Sequence, residues 1–433
     1  MQRMNVMIRL SALSRSSERG AVATIVAMLL GFGVVLGFAA LSIDVGSMMW
    51  ERRQVQNGAD ATALALAKTC AIDPANCVAG GADQPLLNQL NNTNNTMDNA
   101  GGFDSSAYAL GLCGRANTLP GCGASTGLLT DCPPLPASMA ANPNIPYVEA
   151  HTQTRATNGT SILPTWLVRT LAGGTGSTGQ TVRACARAAY GSPGPTAASA
   201  PITFSMCEWR ANTSSGAAYY PYEPVASPGG YFTRPGNPPT QPPWPLGATT
   251  PATPGQEIVI TLQGGPHMSA ACPNWQGHDV AGGFGYLSAA GCNTVLGTDS
   301  WVQVDTGSSL PGCDIAPFWK TVIYLPVFDC VMRSLSAPSG APPTTPADVC
   351  NYGTGNNTWY HIAGWAKFYL SGYKIGGSVE KASPASGSVP CSGGDRCISG
   401  WFLEGVLRDA PVAGPPPPPG SPGFGTYAIQ PAG

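Results

Sequence analysis

Residues 21–71 read AVATIVAMLLGFGVVLGFAALSIDVGSMMWERRQVQNGADATALALAKTCA, and their hydropathy pattern decides the architecture of the chain. The first part, Ala21 to Ile43, carries no charge over 23 residues. As a helix it spans roughly 34 Å, against about 30 Å for a hydrocarbon core. A cleaved secretory signal has a shorter apolar region and then small residues at the cleavage point. The Ala-containing stretch from Phe38 to Ser42 keeps that alternative open. Beyond Asp44 the pattern changes rather than stops. Val45, Met48, Val55, Ala59, Ala63 and Leu66 recur at three- and four-residue steps, with Glu51, Gln54 and Asn57 on other faces. Alanine favours helix, Gly46 and Gly58 weaken it, and Pro74 ends it. The pattern predicts one long helix over 21–71, half in lipid and half projecting from it.

The flanks set the expected orientation. Arg3, Arg9, Arg15 and Arg19 precede the span against a single Glu18, while Asp44 and Glu51 open the far side before Arg52 and Arg53. That bias favours a cytoplasmic N-tail over residues 1–20. Gly33 and Gly37 form a GxxxG step, which lets a second helix approach closely in lipid. Asp44, at the outer end of the span, has two readings: pairing with a cation of a partner subunit, or a place in the headgroup zone where desolvation is mild.

All fourteen cysteines lie downstream of the apolar run. An even number on one side of a membrane span predicts disulfides in an oxidising compartment, and so an extracytoplasmic body at the cell surface. The competing reading is a set of buried free thiols in a cytosolic protein. Short loops make Cys70–Cys77 and Cys391–Cys397 the expected pairs. No CxxC occurs, which argues against zinc ribbons and thioredoxin-like chemistry.

The same N-terminal stretch resembles a family. Arg19-Gly20-Ala21, the apolar run, Asp44-Val45-Gly46, Arg52-Arg53-Gln54, Gln56-Asn57 and Ala59-Asp60-Ala61 together are similar to the N-terminal segment of TadG-like proteins of the Tad/Flp (type IVb) pilus-assembly systems. The resemblance covers about 50 residues and implies a single-pass anchor of a surface pilus or secretion apparatus. Processed pilins of this type carry Glu five residues after the cleaved Gly; counting from Gly20, that position is Ile25. A permanent anchor fits this departure better than a processed, polymerising subunit. Phrases farther on, TFSMCEW at 203–209, GGFGYL at 282–287, LPVFD at 325–329, YHIAGWAKF at 360–368 and CISGWF at 397–402, resemble the C-terminal regions of actinobacterial TadG-like proteins more loosely.

The remainder predicts an α+β chain whose body is mainly β, disulfide-rich and threaded with long Pro/Gly loops. Gly (55) and Pro (42) make up more than a fifth of the 433 residues, while charged residues are only 10%. Residues 72–200 read as a loop-rich subdomain, with loop at Asn91 to Thr96 and Thr165 to Leu171 as its best apolar element. Residues 201–409 carry the strand signals, chiefly PITFSM from Pro201, EIVITL from Glu257, WVQV from Trp301, TVIYLPV from Thr321, YHIAGWAKFYL from Tyr360 and ISGWFL from Ile398. Glu223 to Gln256 interrupts them as a Pro/Gly loop, and 410–433 reads as a Pro-rich flexible tail. A net charge of −2 with scattered basic residues excludes the clustered charge that nucleic acid requires.

Among possible sites, Asp305-Thr306-Gly307-Ser308-Ser309 is the sharpest catalytic lure, because aspartic proteases place one proton between two such carboxylates. No second DTG or DSG is present, so a hairpin turn is the better reading. Four dispersed histidines (151, 267, 278 and 361) predict no metal site. Neither GxSxG nor a phosphate loop occurs, and no cofactor is expected. Glu208, Asp314 and Asp329 as glycosidase acids would need a separation that sequence does not supply. The expectation is a non-enzymatic, membrane-anchored accessory or minor component of a Tad-type assembly, in contact with the bilayer and with other pilin-like membrane proteins. The alternatives are a surface hydrolase using Asp305 and a stand-alone envelope protein.

Overall fold

A computed structural model describes residues 3–81, 83–93, 102–106, 108–116, 118–123, 132–154, 181–216, 219, 225–226, 232–233, 257–262, 284–288, 292, 294–305, 310, 312–340, 351–352, 357–376, 379–384, 386–407, 410–414 and 423–432. The apolar segment Thr165 to Leu171 and the cysteines at 272 and 350 lie outside these residues.

One helix, α1 (Arg3–Ile72), runs for 70 residues and includes most of the segment read above as an N-tail. It ends where Pro74 removes a donor and starts a 3₁₀ turn, whose N-terminus is capped by the Asp73 carboxylate accepting the Ala75 N–H. Large apolar side chains between Val22 and Ile43 face outward; Leu30, Phe32 and Phe38 are all about two-thirds exposed. From Ala40 onward one stripe turns inward: Ala40, Asp44, Glu51, Val55, Ala59, Ala63, Leu66 and Cys70 are buried. This corrects the helical face read from hydropathy. Val45 is exposed and Met48 half-buried, whereas Glu51 and Gln54 are inside. The body covers the face that holds the carboxylates.

That stripe packs on the first of two large sheets. After α1, the short helix α2 (Gln84–Thr93) folds back beside it, with Leu87 buried and Gln84 accepting the Gly80 N–H. α2 therefore takes in Asn91, Asn92 and Thr93, which composition marks as loop. Four strands follow: β1 (Gly102–Phe103), β2 (Leu112–Gly114), β3 (Tyr147–Gln153) and β4 (Arg183–Pro193), with α3 (Ala137–Ala141) ahead of β3. Three C-terminal strands complete the sheet: β18 (Gly405–Val406), β19 (Val412–Gly414) and β20 (Thr426–Pro431). The order is β1-β3-β4-β20-β18, with β2 on β3 and β19 on β4. The segment read as a flexible tail thus supplies two strands, and the sheet of 72–200 is not self-contained; 415–420 lies outside the described residues. Alternation along β3 and β4 turns Val148, Ala150, Ala186, Ala188 and Tyr190 toward Ala59, Ala63, Leu66 and Ala67 of α1. Alanines on both layers permit the close approach. Thr152 Oγ1 donates to the Val55 carbonyl (2.9 Å) and Gln56 Nε2 to the Cys185 carbonyl (3.0 Å), tying helix to sheet.

The second sheet has nine strands. A short pair, β5 (Thr196–Ala197) with β11 (Val295–Leu296), stands beside it, and β7 (Val225–Ala226) pairs with β8 (Phe232–Thr233) inside the expected Pro/Gly loop. The sheet itself contains β6 (Ile202–Ser205), β9 (Ile258–Thr261), β10 (Phe284–Leu287), β12 (Ser300–Asp305), β13 (Thr321–Arg333), β14 (Asn351–Tyr352), β15 (Thr358–Lys374), β16 (Glu380–Lys381) and β17 (Cys397–Leu403). β13 pairs with β15 along its length, while β6, β10 and β12 link their opposite edges, so these five strands close a circuit. Phe204, Phe368 and Phe402 meet with ring centroids 5.0 to 5.2 Å apart in its core. Gly285 is required where it stands, because a Cβ there would lie 2.2 Å from the Tyr360 hydroxyl. The architecture is α+β: an apolar N-terminal helix followed by a mainly β body.

Candidate membrane anchor and its packing face

The segment Val22–Ile72 of α1 is long and apolar enough to cross a membrane, and its most apolar window has no residue buried inside the body. Hydrocarbon side chains all round a helix are stable only in an apolar medium or against other helices. Gly33 and Gly37 fall one helical step apart in this segment. A Cβ at Gly37 would meet nothing within 4 Å. Asp44 lies at the end of this run, where the helix face turns inward. It is only 5% exposed and follows Ala40 in the stripe that the chain's own body covers. The outward side of the next turns carries Met49, Arg52, Arg53, Gln56 and Asn57, which line a groove of about 320 Å³.

Disulfides hold the body to the helix end and brace its loops. Cys70 is bonded to Cys77, Cys113 to Cys122, Cys132 to Cys185, Cys292 to Cys313 and Cys391 to Cys397. Cys207 and Cys330 are also disulfide-bonded. Beside Cys77, burial pushes the Tyr190 hydroxyl up to about 12.

The face of β3 and β4 away from α1 carries a buried polar cluster that sequence reasoning missed. Glu149 and Arg187 are cross-strand neighbours, 4% and 6% exposed, and form an ion pair through Nε (2.6 Å) and Nη2. Arg187 Nη1 also donates to the Pro133 carbonyl at 2.8 Å. His151 Nε2 sits 3.3 Å from Glu149 Oε2. Ligand atoms of Cys132, Glu149, His151 and Cys185 lie within 4.8 Å of one another, the spacing of a metal centre. The Cys132–Cys185 bond occupies both sulfurs, and Arg187 occupies the carboxylate, so this cluster is a brace. The signal in the sequence was the alternation Glu149, His151 against Cys185, Arg187, visible only once the register is known.

In the second sheet, His361 Nδ1 is 2.7 Å from Asp329 Oδ1, its Nε2 is 3.9 Å from Asp299 Oδ1, and the Trp301 ring lies alongside. Asp329 reaches the ring from the irregularity between Phe328 and Cys330, where β13 slips against β15. Asp305 ends β12 opposite Tyr286, and residues 306–309 of the DTGSS stretch lie outside the described residues. Glu208 is buried in the helix Met206–Thr213, where its carbonyl and carboxylate both accept from Asn212 Nδ2; Asp314 caps the Ala316 N–H. These acids are committed to local structure. His267 and His278 lie outside the described residues.

An exposed apolar helix that continues without a break into the covered face of a folded body defines the class of candidate single-helix membrane anchors. Within that class, residues 20–68 match the family described as putative Flp pilus-assembly TadE/G-like, so this segment of the chain is a TadE/G-like one. No curated protein and no solved structure matches the chain.

Proposed function

We propose that the chain is a single-pass, membrane-anchored accessory or minor structural component of a Tad/Flp-type pilus or secretion assembly, with its body outside the cytoplasm and no catalytic step of its own. The carrying observation is a coincidence of boundaries. The matched residues 20–68 span both the outward-facing apolar run and the stripe buried against the body. One segment therefore serves as anchor and as scaffold for the first sheet. Residues 21–43 hold the chain in the bilayer, the glycine step at Gly37 receives a pilin-like partner helix, and the disulfides suit an oxidising compartment. The test is alkaline carbonate extraction of native membranes, together with pull-down of the tagged full chain. Retention in the pellet and recovery of Tad-system membrane proteins are expected. Release into the wash, or a membrane-impermeant thiol reagent reaching the reduced body only from the cytosolic side, overturns the reading.

A further inference from the structure

His361 is 1% exposed, yet among the described residues only one of its ring nitrogens has a hydrogen-bond partner. Nδ1 lies 2.7 Å from Asp329 Oδ1. A carboxylate only accepts, so Nδ1 is the donor, and in the neutral ring Nε2 then carries a lone pair. Nε2 stands 3.9 Å from Asp299 Oδ1. That gap exceeds the roughly 2.7–3.2 Å of a hydrogen bond. It suits an ion lying between the two atoms, because zinc bonds to imidazole nitrogen and to carboxylate oxygen are each about 2.0–2.2 Å. Separate segments fix this geometry. Trp301 on β12 is the cross-strand partner of His361 on β15, its ring 5.0 Å away, and its indole N–H is held by the Gly340 carbonyl (2.9 Å). Asp299 precedes β12 in a left-handed backbone conformation (φ 60°), and its N–H donates to the Ile362 carbonyl (2.8 Å). Its side chain is 80% exposed, which opens the gap to solvent from that side.

We propose that His361 Nε2 and the Asp299 carboxylate bind Zn²⁺, with water completing the coordination. A carboxylate on the far ring nitrogen is the arrangement that orients a metal-binding histidine and raises its basicity. Asp329 fills that place as a positioning residue and does not touch the ion. Imidazole selects zinc over Ca²⁺ and Mg²⁺, which take oxygen ligands. Two protein ligands with the remaining positions open to water make an exchangeable site rather than a closed structural one. The site needs one histidine only, so the dispersal of the four histidines along the sequence does not bear on it.

The experiment uses the untagged full chain in detergent, disulfides intact and stripped with a chelator, titrated with Zn²⁺ by equilibrium dialysis and thermal melting. Saturable zinc binding and a zinc-dependent rise in melting temperature are expected. Asp299→Asn, a change at an exposed side chain, is expected to melt like the parent without zinc. It should bind zinc at least tenfold more weakly and lose the rise. Asp329→Asn keeps an acceptor for Nδ1 and is expected to weaken zinc binding about 10–100-fold. Asp60→Asn, a charge-matched change on α1, is expected to bind as the parent does. The proposal falls if the parent holds no zinc, or if either the Asp299 or the Asp329 variant binds like the parent. It also falls if Asp299→Asn lowers the zinc-free melting temperature while zinc leaves the parent unchanged. That last result is the mark of a protonated ring pinned between two aspartates.

Discussion

At the scale of single residues, polar groups shut inside the body control much of its stability. Removing one partner of a buried ion pair leaves the other charged and unsolvated, which costs about 3–5 kcal/mol. Glu149→Ala strands Arg187 in this way, and urea denaturation of the full chain in micelles is expected to show a loss of that size. Glu404 works in the opposite sense. Burial raises its carboxyl above the ordinary value of 4.5, although the hydrogen bond from the Tyr427 hydroxyl (3.0 Å) and nearby Lys68 partly offset this. A carboxyl whose proton is held more tightly in the folded state contributes stability at low pH. That contribution is fully present below the unfolded value and is lost as pH rises through the folded one. Glu404→Gln, which keeps an acceptor for Tyr427, should therefore raise the melting temperature at about pH 7 and leave it unchanged near pH 4. A gain of equal size at both pH values would contradict the assignment.

At the scale of elements, crosslinks differ by the chain they enclose. Cys132–Cys185 bridges a separation of 53 residues and Cys391–Cys397 one of 6. Loop-closure entropy predicts about 4 kcal/mol for the first and about 2 for the second. Paired Cys→Ala variants, compared by guanidinium melts, should keep that order. Legibility in the sequence also varied by element. The helix over 21–71 was readable because an uncharged run and a three-to-four-residue period both point to helix, and β13 and β15 because β-branched and aromatic residues fill them. The covered face of α1 was not, since Asp44 and Glu51 are polar residues placed inside. β4 was missed because RACARAAYGSP is rich in alanine, a residue that favours helix. The Glu149–Arg187 pair needs a register that no local pattern encodes.

At the scale of the whole molecule, β20 lies between β4 and β18, pairing Ala428 to Pro431 with Gly191 to Ala188. Ending the chain after Gly423 should lower the melting temperature and increase amide exchange in β4, and also in β15 around Trp365, whose carbonyl accepts from Thr426; exchange mass spectrometry reads each strand separately. The same pairing bears on biogenesis. Roughly 230 residues separate β4 from β20, which at ribosomal speeds of about 5–20 residues per second amounts to some tens of seconds of waiting. During that interval the helix-bearing sheet has an unpaired border open to wrong neighbours. Chaperones handling this chain thus inherit a half-finished layer until its remote closing segment arrives.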